Sequence, residues 1–300
     1  MYNKIKFDIV KRFNLFAIIS LVLIAVGLIS LILLPFGVNL FNLDIEFAGG
    51  TSMNVAIHTQ ATQEVTQSIS AKIKDLTGTS ATVQSTGDGT EIIIKSTELT
   101  SEQRQSIFEA LKEEYSLTNE DLLKTDNVSS VVGQDFKRSA FLSCIIAAAL
   151  MLLYITIRFE FKSGLSAVIC LIHDILVMLS VYVILQIPLN LTFVAAALTI
   201  FGYSINASII TFDRIRENNK AAGREAFENV VEKSIWQTVS RSINTTLTTL
   251  FTVIMLLILG VQSLKDFAIP LMIGMLSGTY SSVFLAGPLW VKFKGKPKKA

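Results

Sequence analysis

The sequence predicts a polytopic α-helical membrane protein with six transmembrane helices and an α+β domain inserted between the first and the second. Three observations predict it. The chain has 300 residues, of which 51% are hydrophobic and only 17% charged, whereas soluble domains carry about 25% charged residues; mean hydropathy is +0.55. Charge-poor apolar runs occur at 13–36, 139–157, 164–187, 191–212, 242–261 and 267–291, each within reach of the roughly 17–25 residues that cross a bilayer. Between the first two runs, residues 37–138 have an ordinary soluble composition.

Lys4, Lys6, Lys11 and Arg12 precede the first run. Its apolar part extends from Leu15 to about Leu34, longer than the roughly 7–15 residues of a signal core and followed by no small-x-small cleavage site. It is expected to stay as an anchor, so 1–36 reads as a cytoplasmic N-terminus and first transmembrane helix.

The inserted region alternates strand and helix signals. Ser52–His58 is a candidate strand. Thr62–Thr77 places Val65, Ile69, Ile73 and Leu76 at helical spacing and closes on Gly78. Ala81–Thr86 and Glu91–Ser96 are β-rich and joined by Gly87-Asp88-Gly89, a hairpin signal. Thr100–Tyr115 repeats the helical pattern with Ile107, Phe108 and Leu111, and Asn127–Val132 is the expected last strand. This is β-α-β-β-α-β, the ferredoxin-like order. The region is acidic, with 15 Asp and Glu against 8 Lys and Arg. Its single His58 stands apart from any metal or nucleophile cluster, which points to a domain that moves or touches a partner.

Lys and Arg near the ends of the spans set the orientation. The N-terminal four, Arg158 and Lys162, the six of 213–241 and the five of the tail all fall on one side; the opposite short loops hold only Lys265. Both termini are therefore expected in the cytoplasm, with 37–138 extracytoplasmic, 139–291 carrying helices two to six and 292–300 a basic cytoplasmic tail. The net charge of +2 gives no reason to expect nucleic acid. Cys144 and Cys170 lie inside spans without further ligands, so neither a disulfide nor a metal site is expected.

Ionisable groups inside spans are rare and are functional candidates by default. His173-Asp174 falls in the third span, Asp213-Arg214 closes the fourth and Arg241 opens the fifth. Polar and small residues recur at helical spacing: Ser166, Cys170, His173 and Ser180 on the third span; Ala195, Thr199, Gly202 and Asn206 on the fourth. Arg241, Asn244, Thr245, Thr248 and Thr252 do so on the fifth, and Gly274, Ser277, Gly278 and Ser281 on the sixth. Such stripes let helices pack closely and hydrogen-bond. Covalent catalysis is not expected. Ser166 and His173 stand seven residues apart on one helix, about 10 Å by the helical rise, too far for a nucleophile and its base.

Several signatures line up in order: Asp44-Ile45-Glu46-Phe47-Ala48-Gly49-Gly50-Thr51, Arg158-Phe159-Glu160-Phe161, His173-Asp174, Gly202-Tyr203-Ser204-Ile205-Asn206, Phe212-Asp213-Arg214-Ile215-Arg216-Glu217-Asn218 and Arg241-Ser242-Ile243-Asn244-Thr245-Thr246. Together they closely resemble the SecF family of protein translocase subunits, relatives of the resistance-nodulation-division transporters. The resemblance implies a non-enzymatic accessory subunit, without cofactor, in the cytoplasmic membrane. It would work with SecD, the SecYEG channel and YajC to promote export of preproteins, driven by the proton (or sodium) motive force. Asp174, Arg241, Asn206 and Tyr203 are the implied ion-relay candidates, with Asp213, Arg214 and Arg216 a charged cytoplasmic end of the fourth helix. Gly49, Gly50 and Gly202 read as structural glycines, the first two as a turn from helix into strand, where glycine tolerates unusual backbone angles. The family pattern commonly continues Gly-Tyr-Ser-Ile-Asn with an Asp; this chain has Ala207, which binds no proton and offsets no Arg charge. The alternatives are a half-transporter of small molecules or lipids, and a structural subunit that stabilises SecD without ion conduction.

Overall fold

The structure is a computed structural model describing residues 7–86, 89–260 and 262–295. Lys4, Lys6, Gly87, Asp88, Lys296, Lys298 and Lys299, which bear on the orientation and the hairpin turn, lie outside the described residues.

Among the described residues, six helices are long and apolar enough to cross a membrane. They are α1 (Phe13–Leu33, continued by a 3-10 turn to Phe36), α5 (Ser130–Arg158), α6 (Phe161–Leu185), α7 (Leu191–Ala221), α8 (Phe227–Leu259) and α9 (Gln262–Ser281). The last continues through a π-helical turn, Ser282–Ala286, into α10 (Gly287–Lys294). Several helices outrun the apolar stretches that signal them. The segment 213–241, expected as a connection, is mostly helix: α7 runs on to Ala221, and α8 already starts at Phe227. Arg241 consequently lies inside α8 instead of opening it. Charged residues do not end a helix where its backbone can continue, so hydropathy locates the span and misses the helix end.

The chain divides into two compact units. The helical one takes the described residues up to Asn42, Phe141–Ile187 and those from Thr192. Its core joins Phe16, Ile155, Leu171, Phe201, Phe212, Ile235 and Trp290, all buried. α1 packs against α6 where Gly27 donates its N–H to Ser180 Oγ at 2.8 Å. A Cβ at position 27 would lie 2.6 Å from the Leu176 carbonyl oxygen, so a small residue is what allows this approach. Glu232 on α8 accepts the Ile9 and Val10 N–H groups, at 3.1 and 2.9 Å, and the Trp236 indole N–H at 2.7 Å.

The second unit, Leu43–Ala140 with Pro188–Leu191, contains α2 (Ile45–Ala48), β1 (Gly50–Ala56), α3 (Gln63–Thr77), β2 (Ala81–Thr86), β3 (Glu91–Ser96), α4 (Ser101–Tyr115) and β4 (Leu122–Val128). The four strands form one antiparallel sheet in the order β2-β3-β1-β4. Met53, Val55, Ile92 and Ile94 meet Ile69, Ile73, Ile107 and Leu111 of the two helices in a separate apolar core. Thr62 and Thr100 cap α3 and α4, the latter in a reciprocal capping box with Gln103.

The last strand is Leu122–Val128 rather than Asn127–Val132. β4 is an edge strand whose central residues are mostly exposed, so it needs no apolar alternation. The apolar Val131 and Val132 instead sit in the first turn of α5, where Ser129 Oγ accepts the Val132 N–H at 3.4 Å.

α2 ends on Gly49 (φ +78°) and β1 opens on Gly50 (φ +137°). Both angles favour glycine. A Cβ on Gly50 would also collide with the Ser96 carbonyl oxygen, and one on Gly49 would reach 2.9 Å from Ser130 Cα.

Candidate functional site: a serine cradle and an open polar face

Asp174 sits midway along α6 and is completely buried. A carboxylate removed from water needs donors on both oxygens. Ser277 of α9 donates to Oδ1 at 2.7 Å and His173 Nδ1 lies 3.0 Å from the same oxygen. Ser204 of α7 donates to Oδ2 at 2.7 Å, and Ser281 of α9 does so at 3.0 Å. Two helices, α7 and α9, therefore converge on the acid of a third, α6, through three hydroxyls. Gly278 makes the convergence possible, since a Cβ there would lie 3.1 Å from Ser204 Cβ and 3.5 Å from Asp174 Oδ2.

His173 is buried too, and its ring stacks on Tyr280 with centroids 5.9 Å apart. Its Nε2 has no hydrogen-bond partner among the described residues. Tyr280 in turn donates to the Phe16 carbonyl at 2.9 Å and receives Ser20 Oγ at 3.3 Å, tying the site to α1. Cys170, one turn before Asp174, directs Sγ at the Ser281 carbonyl from 3.8 Å, beside the π-helical turn. The titratable neighbours of Asp174 named by these contacts are thus His173, Tyr280 and Cys170.

The other relay candidates lie elsewhere. Tyr203 donates to Thr246 Oγ1 at 2.9 Å, and Thr246 meets Thr279 Oγ1 at 2.6 Å, linking α7, α8 and α9. Asn206 and Arg241 are exposed and carry no hydrogen bond or ion pair among the described residues. The stripe Ala195, Thr199, Gly202 and Asn206 is exposed along α7 throughout, as are Arg241, Asn244, Thr245, Thr248 and Thr252 along α8. A Cβ on Gly202 would meet nothing within 4 Å. Ala207 is half-buried, its carbonyl accepting Thr211 Oγ1 at 3.5 Å. Of the charged end of α7, Asp213 is exposed and Arg214 binds the Gln237 side chain and, at 2.6 Å, Glu217. Arg216 reaches the Arg158 carbonyl at 3.4 Å.

Sequence reasoning singled out Asp174 but did not join Ser204, Ser277 and Ser281 to it. Their period marked a face on each helix; which faces meet is decided by packing. No group of three or more metal-ligating side chains occurs among the described residues.

Six helices long and apolar enough to span a membrane among the described residues, three of which enclose a fully buried acid, define a polytopic membrane protein. Residues 107–296 match the family described as protein export membrane protein SecD/SecF, C-terminal. The protein translocase subunit SecF of Alicyclobacillus acidocaldarius is 35% identical over 300 residues, 99% of this chain and 96% of the relative. The protein translocase subunit SecDF of Bacillus subtilis is 40% identical over 175 residues, 57% of this chain and 24% of the relative. A crystal structure of SecDF, a translocon-associated membrane protein from Thermus thermophilus, superposes with a TM-score of 0.84 at 30% identity, covering 98% of this chain and 40% of that one. The chain belongs to the SecD/SecF protein-export family.

Proposed function

We propose that the chain is a SecF-type accessory subunit of the Sec protein translocase, acting with SecD to promote preprotein export across the cytoplasmic membrane at the expense of the proton (or sodium) motive force. Full-length similarity to a protein translocase subunit SecF carries the reading. In it, SecD covers the exposed polar stripes of α7 and α8; relatives that carry SecD and SecF in one name and one chain support that pairing. SecYEG, YajC and the exported preprotein are the further partners. Both termini are cytoplasmic, and the sheet-bearing unit is an extracytoplasmic ferredoxin-like domain that moves as intramembrane groups change charge. The assigned limits are 1–36, 37–138, 139–291 and 292–300.

Within this reading Asp174 is the acid that this chain contributes to the relay, and Arg241 of the α8 stripe and Asn206 of the α7 stripe meet groups of SecD. Tyr203 holds α7 to α8 through Thr246. Ala207 favours a second reading, a subunit that stabilises SecD without conducting ions. Depletion followed by complementation separates the two. Wild type restores export of a secretory protein, and Arg241→Ala and Asp174→Asn do not. Full export with both variants would leave the second reading standing, and unimpaired export on depletion would overturn the translocation role itself.

A further inference from the structure

At the end of the helical unit where α5 gives way to α6, and α7 to α8, lies a cavity of about 240 Å³. It is lined by Phe159, Glu160, Arg216, Asn219, Phe227, Trp290 and Lys294. Its polar groups are overwhelmingly donors. The Arg216 guanidinium contacts the Arg158 carbonyl at 3.4 Å, although it carries five N–H donors. Lys294 Nζ stands 4.1 Å above the Phe227 ring and 5.8 Å from that of Trp290. The nearest acid, Glu160, is 3.9 Å away and half exposed, a loose pair.

The indole of Trp290 is 3% exposed, wedged edge-on between Phe212 and Phe227, and its Nε1–H has no acceptor among the described residues. A buried N–H that lacks an acceptor is unfavourable and calls for an explanation. Lys162 adds further positive charge, its Nζ 3.5 Å from the Lys294 carbonyl, and Arg158 lies over the Phe159 ring at 5.4 Å.

A guanidinium without an ion pair among the described residues, an ammonium held only loosely by Glu160, an N–H without an acceptor among those residues and aromatic walls at a span end are what an acceptor-rich anion with an apolar attachment would occupy. We infer that this cavity binds a phosphate group, and that its occupant is the headgroup of an anionic membrane phospholipid. Arg216 and Lys294 take the phosphate oxygens, and Phe159 and Phe227 flank the glycerol end. Glu160, the one carboxylate in the lining, opposes the anion and restricts the site to ligands that engage both cations. The inference rests on the membrane placement alone and stands whether or not the export reading holds.

The test is thermal unfolding of the full chain in detergent with added phosphatidylglycerol, phosphatidylcholine or inorganic phosphate. Wild type is expected to unfold at higher temperature with phosphatidylglycerol and to respond little to phosphatidylcholine. The R216Q/K294Q variant should lose most of that shift. A charge-matched control, K220Q/R224Q, whose sites do not line the cavity, should keep it. Trp290→Phe removes the N–H while leaving both cations, and should lose part of the shift. If R216Q/K294Q folds poorly, native mass spectrometry of Trp290→Phe counts retained lipid and decides the same point: fewer bound lipids than wild type support the site, and an equal number overturns it. An equal shift with inorganic phosphate, abolished in R216Q/K294Q, supports the phosphate site and assigns it a soluble ligand. Equal loss in the control, or no response to any of the three, overturns the inference.

Discussion

Asp174 is fully buried with four polar groups on its two oxygens, whereas Arg241 stands exposed on α8 without a partner among the described residues. Both are ionisable side chains placed in apolar helices, yet the first is satisfied within this chain and the second has no partner among the described residues. Solvating a charge in hydrocarbon is expensive, so intramembrane ionisable groups face a protein interior or water. The cradle around Asp174 is finished by three serines and a glycine. The stripes on α7 and α8 have the same small and polar composition and stay open. One region has the build of a completed site, the other that of half an interface, and the two should respond differently to substitution.

The largest effect is expected inside the cradle. Asp174→Leu strands the hydroxyls of Ser204, Ser277 and Ser281, and each buried polar group left without its partner costs about 1–3 kcal/mol. Back-bonding of the serines to their own helix carbonyls recovers part of this, so a loss of several kcal/mol should appear as a sharply lower Tm and poor yield. Asp174→Asn, which keeps an acceptor, should be clearly milder. Equal behaviour of the two would show that the cradle does not depend on the carboxylate shape.

Next comes the contact of α1 with α6. Gly27→Val places carbon where the Leu176 carbonyl already lies, and overpacking of this kind costs about 1–3 kcal/mol. Reduced resistance to unfolding in detergent would show it. Arg241→Ala, by contrast, should leave the unfolding of the isolated chain within about 0.5 kcal/mol of wild type while weakening co-purification with SecD. A large loss of intrinsic stability would mean that Arg241 is bound within this chain, and the contrast would fail.

The smallest effect concerns the other unit. Asp121 accepts the Thr118 N–H at 2.7 Å and lies 2.7 Å from His58 Nε2. The Thr118 backbone, then His58, hold its carboxyl below the usual carboxylate range. A depressed folded value stabilises the turn above the ordinary carboxylate range, and that contribution is lost as pH falls through the folded value. Exchange of the Thr118 amide in the full chain, relative to its intrinsic rate, should quicken on that descent. Asp121→Asn should remove the pH dependence.

Much of this contrast was legible beforehand in one dimension only. Length and hydropathy were enough for six spans, and His173-Asp174 stood out because charges are scarce there. The serines did not, because periodicity marks a face on each helix without naming the facing helix. The stripes of α7 and α8 looked the same in sequence as those of α6 and α9. Only packing separates the buried pair from the exposed pair. β4 was displaced for a related reason. An edge strand such as Leu122–Val128 can stay polar, while Val131 and Val132 supply an apolar signal to a helix start. Helix ends beyond the apolar stretches, as at Phe227, carry no hydropathy signal.

The open face of α7 and α8 is, on this account, completed by SecD. Photo-cross-linking in cells tests it directly, with a benzophenone side chain placed at Asn206, at Asn244 or at Leu150, an exposed apolar position on α5. Positions 206 and 244 should yield a cross-link to SecD, and position 150 should not. Cross-links to SecD from 150 alone, or from none of the three in cells that contain SecD, would contradict the account.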